Sequence, residues 1–294
     1  MRKALCTLGA ALLCSAVSAQ TIVYLNFDDA ADATGIAEGT AYTLGASEVD
    51  QGSLFGLSLS YTMRNHNGDG PSIGAPAGVS GTSQGGKALL VDSGAGQDEG
   101  LTITSDNGIL QDVTIEVVWY TNDASGGSNT AGIQTPIGNE WPAGEAAQLF
   151  IRTVGADRMD FWTDRGDSNS ENVQILGTGV VAANTWYHDV LVLDYNDASP
   201  ANSQIIAYRN GAQVGTSTYD ASSASATLFP TGYNSLRRIG VGIHNSLEAN
   251  TTDHRGLSGG VDAIALSAGV LTPSNFVLPT GAVVSSVNEW QMFE

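Results

Sequence analysis

The chain has 294 residues, of which 30 are acidic and 11 are basic, so its formal net charge is −19 at pH 7. This balance argues against nucleic acid and anionic lipid surfaces as partners, because affinity for phosphate groups depends on Lys and Arg. The length is sufficient for one large domain with a full hydrophobic core.

The first 19 residues have the pattern of a secretory signal peptide. Arg2 and Lys3 precede an apolar run from Ala4 to Val17, and small residues follow up to Ala19. The run is too short to span a bilayer, and no other stretch approaches the ~20 apolar residues that a membrane helix needs. We therefore expect cleavage after Ala19 and a secreted or cell-surface protein. Both cysteines of the chain lie within this segment, so the mature protein would have no disulfide.

The rest of the chain consists of short alternating runs bounded by Gly, Asn, Asp and Ser, with almost no helical periodicity. This pattern predicts an all-β fold, an antiparallel β-sandwich. In chain order, strands are predicted at 21–27, 54–62, 87–92, 100–104, 113–120, 146–154, 158–163, 173–181, 184–196, 203–209, 212–218, 236–243 and 260–267. The segments 64–86 and 121–145 are predicted to be long surface loops, and 272–276 a helical turn.

Two of these segments have specific signals. In the run DVTIEVVWYT, Val117 and Trp119 fall on one face and Glu116 and Tyr120 on the other, as a half-buried strand requires. Trp119 is therefore predicted to be in the core and Tyr120 to point outward. The dipeptide at 210–211, Asn-Gly, accepts the positive φ angles of a type I′ turn and predicts a tight hairpin.

The second half of the chain contains four motifs in order: Asn184-Thr185-Trp186-Tyr187-His188, Tyr208-Arg209-Asn210-Gly211, Ile239-Gly240 and Gly259-Gly260-Val261-Asp262-Ala263-Ile264. This order resembles the laminin-G-like jelly rolls of the concanavalin A-like lectin/glucanase superfamily, especially the bacterial secreted ones. The resemblance is clearest over 86–277. We expect one jelly-roll domain at 20–280, with 30–85 as an elaborated N-terminal part and 281–294 as a tail or edge segment.

His188 raises the choice between a catalytic group and a structural one. In the family that this sequence resembles, the His of the Trp-Tyr-His strand is structural. The residues that follow, 190–193, are apolar on both faces of the strand, which also predicts a central strand and a hydrogen-bonded framework role for His188.

The resemblance also implies a structural Ca²⁺ that ties the first and last strands together, with Asp28 and Asp262 as candidate ligands. Alternation places Asp262 on the same face as Ile264 and Leu266, where a carboxylate needs a partner or a metal. The alternative is that Asp28 caps a turn and Asp262 accepts backbone hydrogen bonds. The run NHNGDG at 65–70 resembles the start of a calcium loop, but an ordinary turn is favoured because Pro76 occupies the position that would need Glu.

Glycan binding without catalysis needs exposed aromatic rings, and Trp141, Trp162 and Tyr120 are the candidates; ordinary packing is the alternative for each. The paired-carboxylate run of the superfamily's glucanases is missing, and Glu116 stands alone. The first hypothesis is therefore a secreted, non-catalytic domain that binds a polysaccharide or glycoconjugate. The second is a structural or adhesive surface protein that binds another protein, and the third is a polysaccharide-cleaving hydrolase or lyase.

Overall fold

The computed structural model describes residues 20–66, 68–79, 86–92, 98–108, 112–125, 132–139, 148–164, 170–219, 237–243 and 255–278. Within these residues, sixteen strands form two antiparallel sheets. The strands are β1 (Gln20–Leu25), β2 (Val49–Asp50), β3 (Leu59–His66), β4 (Ser72–Gly74), β5 (Ala88–Asp92), β6 (Asp98–Ser105), β7 (Val113–Thr121), β8 (Ile133–Asn139), β9 (Gln148–Val154), β10 (Arg158–Asp164), β11 (Ser170–Leu176), β12 (Tyr187–Asp194), β13 (Ser203–Arg209), β14 (Ala212–Tyr219), β15 (Arg237–Val241) and β16 (Ser258–Ala268). Short 3₁₀ turns occur at Gly52–Phe55, Pro200–Asn202 and Pro273–Asn275.

The two sheets form a jelly-roll sandwich. The nine-stranded sheet has the order β14-β13-β12-β7-β16-β1-β2, with β5 added to β16 and β4 added to β5. The seven-stranded sheet has the order β11-β10-β9-β8-β15-β6-β3. Apolar side chains from alternate positions of both sheets meet in one large core cluster, which includes Val117, Trp119, Ile151 and Phe161. The all-β sandwich predicted from the sequence is confirmed.

Two strands occur where the sequence predicted surface loops. β8 lies within 121–145 and is fully buried, and β4 lies within 64–86. Pro136 hides β8 in the sequence, because proline normally marks an edge or a loop. Here the ladder between β8 and β9 is irregular between Gln134 and Ile137, so the proline lies at an interruption of the regular register.

The hairpin predicted at 210–211 and the helical turn predicted at 272–276 are both confirmed, with small differences. Asn210 and Gly211 have φ angles of 50° and 78°, and β13 and β14 pair across them. The turn after Thr272 is a 3₁₀ turn, and the Thr272 side chain forms no capping hydrogen bond. Residues 177–181, predicted to extend β11, form a turn instead because Gly177 and Gly179 both adopt positive φ angles.

No helix within the described residues is long and apolar enough to cross a membrane. The predicted signal peptide at 1–19 and the predicted tail at 281–294 lie outside the described residues. The division into one domain with an elaborated N-terminal part stays a prediction.

Candidate functional site

The Trp-Tyr-His strand contributes to the core through a buried ion pair. Asp189 of β12 accepts hydrogen bonds from the Trp119 indole nitrogen at 2.8 Å and from Arg209 Nε at 2.7 Å and Nη2 at 2.8 Å. The Arg209 guanidinium lies 4.4 Å from the centroid of the Tyr187 ring and also donates to the Val180 carbonyl. Trp119, Asp189 and Arg209 lie on three neighbouring strands of one sheet, so this part of the motif is structural.

His188 and Glu116 point to the opposite, outer face of the same sheet. His188 Nε2 lies 3.2 Å from Glu116 Oε2, and both side chains are buried. Glu116 also accepts hydrogen bonds from the backbone N–H groups of Val277 and Leu278, and the Phe276 ring packs edge-on against His188. The pair therefore fastens the segment after β16 onto the sheet. The framework role predicted for His188 is confirmed, and Glu116 has no exposed surface for a role as a catalytic acid.

Tyr120 does lie on the outer face of the nine-stranded sheet, but the prediction that its ring is exposed is wrong. The Trp186 ring packs edge-on against Tyr120 at a centroid distance of 4.6 Å, and only 4% of Tyr120 is exposed. Gly260 gives the ring its space, because a Cβ at that position would lie 2.6 Å from Tyr120 Cε1. Trp141, the second aromatic candidate, lies outside the described residues.

Trp162 lies on the outer face of the seven-stranded sheet, because its neighbours Phe161 and Thr163 point into the sandwich. Its ring is half-buried and packs against Phe150 of β9 at a centroid distance of 4.8 Å. The Arg152 guanidinium lies 4.5 Å from the centroids of both rings. Within the described part of the chain, the indole nitrogen of Trp162 has no hydrogen-bond acceptor.

A charged network lies beside Trp162 on the same face. Asp160 is buried and accepts hydrogen bonds from Arg152 Nε at 3.2 Å, Arg158 Nε at 2.8 Å and Gln174 Nε2 at 3.0 Å. The hydrogen bond to Asp160 raises the pKa of the Arg158 guanidinium, and 36% of that side chain is exposed. Asp160 therefore fixes two arginines and an amide around one point of the sheet.

We refer to the outer faces of β9, β10 and β11 as the β10 surface; it comprises Phe150, Arg152, Arg158, Asp160, Trp162, Asn172 and Gln174. It combines a partly exposed aromatic ring with hydrogen-bond donors that are held in place. Such a surface can stack on the apolar face of a sugar ring and bond to its hydroxyl groups. Sequence reasoning found only Trp162; the alternation of Arg158, Asp160 and Trp162 with Met159 and Phe161 was the available signal for the rest of β10.

Of the two predicted metal ligands, Asp28 follows the end of β1, and Asp262 lies within the neighbouring strand β16, two residues before the partner of Leu25. Asp28 Oδ1 accepts a hydrogen bond from the backbone N–H of Lys87, whose ammonium donates to the Ala30 carbonyl. Asp262 is buried at a β-bulge between Val261 and Ala263. Burial raises the pKa of the Tyr24 hydroxyl, and the charges of Asp262 and Asp28 raise it further, which places both carboxylates near one tyrosine.

These carboxylates do not by themselves form a metal cage. Within the described ranges, no three His, Cys, Asp or Glu side chains are grouped so that they could hold an ion. The bulge also breaks the alternation used in the sequence analysis, because Val261 joins Ile264 and Leu266 in the core cluster. Other side-chain oxygens at this end of β1 include Asn26 Oδ1, which accepts a hydrogen bond from the Asp28 N–H, and the Glu48 carboxylate, which accepts from the N–H groups of Asn26 and Phe27.

The two antiparallel sheets define a jelly-roll β-sandwich. The family model described as the concanavalin A-like lectin/glucanases superfamily, Laminin_G_3, matches residues 95–275. The match covers more than half of the chain, so the chain belongs to this family. A search of curated proteins finds no sequence that matches this one.

Several solved structures share the fold at low sequence identity. The botulinum neurotoxin serotype D binding domain is 10% identical with a TM-score of 0.47, and the alignment covers 87% of this chain and 49% of that one. The CBM40 domain of the Ruminococcus gnavus IT-sialidase, bound to α2,3-sialyllactose, is 14% identical with a TM-score of 0.40, over 59% of this chain and 84% of that one. The SAP-like pentraxin of Limulus polyphemus is 10% identical with a TM-score of 0.36, over 57% and 69%. This chain thus spans about half the length of the neurotoxin binding domain, and the likeness is one of fold alone.

Proposed function

We propose that the protein is a secreted, non-catalytic carbohydrate-binding domain that binds a polysaccharide or glycoconjugate through the β10 surface. The observation that supports this most directly is Trp162, a half-buried ring beside fixed guanidinium and amide donors on a sheet face. Membership of a lectin/glucanase superfamily supports the same ligand class. The pattern of a signal peptide in the first 19 residues supports secretion.

A binding role is favoured over a catalytic one by the state of the acidic groups on the outer faces. Glycoside cleavage needs two carboxyl groups that can reach the sugar from either side. Glu116 is committed to His188 and two backbone N–H groups, and Asp160 is committed to two arginines and Gln174. Both carboxylates are buried and therefore serve to position other groups.

The test is a depletion assay of the purified protein against a panel of soluble and insoluble polysaccharides, with the supernatant analysed for reducing and unsaturated ends. We expect saturable binding without release of sugars. Replacing Trp162 with Ala should weaken binding at least about tenfold, the loss expected when one stacking contact of ~1.4 kcal/mol is removed. Trp186→Ala, in the loop before β12 and against the outer face of the other sheet, is the matched control and should leave affinity unchanged.

Three results would contradict parts of this proposal. Released sugar ends would replace the binding role with a hydrolase or lyase. Retained affinity in Trp162→Ala would move the site away from the β10 surface. Absence of binding to every glycan would favour the structural or adhesive hypothesis, in which the partner is another protein.

We also propose that a structural Ca²⁺ joins the end of β1 to β16, with Asp28 and Asp262 among its ligands. The support is that Asp28 follows β1 while Asp262 lies in the strand paired with β1, and that Ca²⁺ prefers carboxylate and carbonyl oxygens. EDTA should lower the melting temperature, and excess Ca²⁺ should restore it. Asp262→Ala should abolish this response while Asp197→Ala, an exposed carboxylate elsewhere, retains it. A melting curve that EDTA does not change would exclude the ion.

A further inference from the structure

As far as the structure describes the chain, the edge strands of the two sheets are protected at one side of the sandwich and not at the other. At one side, the nine-stranded sheet ends in β2, which has only two residues and carries the carboxylate of Asp50. The seven-stranded sheet ends in β3, whose edge is covered by residues 39–42. There Met63 accepts a hydrogen bond from Gly39 and donates one to Thr40. Short, charged or covered edges are the usual protection against pairing with another chain.

The added strand β4 is also protected. Ile73, at its centre, exchanges two backbone hydrogen bonds with Ala33, at 2.8 and 3.1 Å. Within the described residues, this leaves β11 and β14 as the long terminal strands.

β11 and β14 lie next to each other, one from each sheet. Gly215 of β14 packs so closely on β11 that a Cβ there would lie 2.7 Å from Val173 Cγ1. In the described part of the chain, β14 pairs with β13 and with no strand on its other side. The two strands therefore form one flank to which no further described strand is added, and we call it the β11/β14 flank.

β14 lacks the charged residues and the proline that often protect an edge strand. Its sequence, AQVGTSTY, contains no charged residue and no proline, although the chain as a whole has a net charge of −19. A bulge at Val214 lies near the hairpin turn, and the ladder from Gly215 to Tyr219 is regular. Thr216 and Thr218 are exposed along this regular part. Leu176, at the end of β11 on the same flank, is 67% exposed.

We propose that the β11/β14 flank is a dimer interface, in which β14 pairs antiparallel with β14 of a second copy of the chain. Unpaired N–H and C=O groups along a strand edge are satisfied by another strand. A second copy fits because two strongly acidic chains repel each other over most of their surface and can approach through a flank strand without charge. Twofold pairing centred on Ser217 places Thr216 opposite Thr218 of the partner, and Thr–Thr pairs across strands are favourable.

The proposal does not depend on the glycan-binding function. If both hold, the dimer carries two β10 surfaces in one particle, since β10 is the second strand from this flank. Two sites in a fixed relation raise the apparent affinity for a repeating polysaccharide.

Sedimentation velocity of the purified protein over a range of micromolar concentrations tests the interface, and we expect a species of twice the chain mass that forms with concentration. The double substitution Thr216→Lys with Thr218→Lys places lysines opposite lysines and should raise the dimer dissociation constant by about tenfold or more. The control, Ser58→Lys with Ser60→Lys, adds the same charge at exposed positions beside the covered edge of β3 and should leave the constant unchanged.

A second measurement uses the unmodified protein and does not depend on folding of the variants. Backbone amide exchange in 212–219 should slow as the concentration rises, while exchange in β2 should not change. A monomer at every concentration overturns the proposal, and so does a dimer that both double variants retain equally. Exchange in 212–219 that is independent of concentration also overturns it.

Discussion

Replacing Asp189 with Ala tests whether the buried ion pair of the Trp-Tyr-His strand holds the nine-stranded sheet together. Asp189 is fully buried and accepts three hydrogen bonds, two from Arg209 and one from Trp119. Alanine would leave the guanidinium and the indole N–H without their acceptor in the interior. Among the described residues, only the Val180 carbonyl and the Tyr187 ring would remain as partners of Arg209.

The expected loss of stability comes from the buried groups that Asp189→Ala leaves without a partner. Removing one partner of a buried ion pair typically costs about 3–5 kcal/mol, because the other charge stays desolvated. The unsatisfied indole N–H alone is worth about 1–3 kcal/mol, but the two losses share one carboxylate and do not add. We therefore expect Asp189→Ala to lower the free energy of unfolding by about 3–5 kcal/mol.

Urea denaturation followed by Trp fluorescence measures this loss, and Asp197→Ala, which removes an exposed carboxylate, is the control. The double variant Asp189→Ala with Arg209→Met should be less unstable than the sum of the single losses, with a coupling of about 0.5–3 kcal/mol. If Asp189→Ala lowers the free energy of unfolding by less than about 1 kcal/mol, the range of an exposed ion pair, the buried pair does not hold the sheet together.

Three further predictions concern other buried groups. Glu116→Ala should lower stability by about 1–3 kcal/mol and speed amide exchange at Val277, and unchanged exchange there would contradict its role in fastening the C-terminal segment. Burial raises the pKa of Glu99, and the charges of neighbouring aspartates raise it further, so the folded protein holds this proton more tightly than the unfolded chain. The protonated Glu99 side chain therefore contributes stability at low pH, and this contribution is lost as pH rises through the folded pKa. Glu99→Gln should lose less stability than the unmodified protein between about pH 4 and pH 7. Equal losses in the two proteins would contradict a raised pKa at Glu99. Gly138→Ala would place a Cβ 2.3 Å from Phe150 Cβ at a positive φ, which should cost about 1–3 kcal/mol, whereas Gly74→Ala, with no atom within 4 Å, should cost much less.

The residues around Trp162 could not be predicted from the sequence of β10 alone. The sequence identified Trp162 as a candidate ring, but Arg152 comes from β9 and Gln174 from β11. Their meeting at Asp160 depends on which strands are neighbours and in which register, and nothing in the local sequence of either strand specifies this. Tyr120 illustrates the converse: its face was predicted correctly, but Trp186, from the loop before β12, covers it.

The β-sandwich, the inward face of β7 and the hairpin at Asn210-Gly211 could be predicted from local sequence, because they depend on period-two alternation and on backbone angles of single residues. Other features depend on contacts between distant segments. β8 forms a strand despite Pro136 because its neighbours bury it, and the bulge beside Asp262 shifts the alternation by one residue. Which edge of a sheet stays open is likewise set by segments far apart in the chain, since strand pairing and burial are non-local interactions.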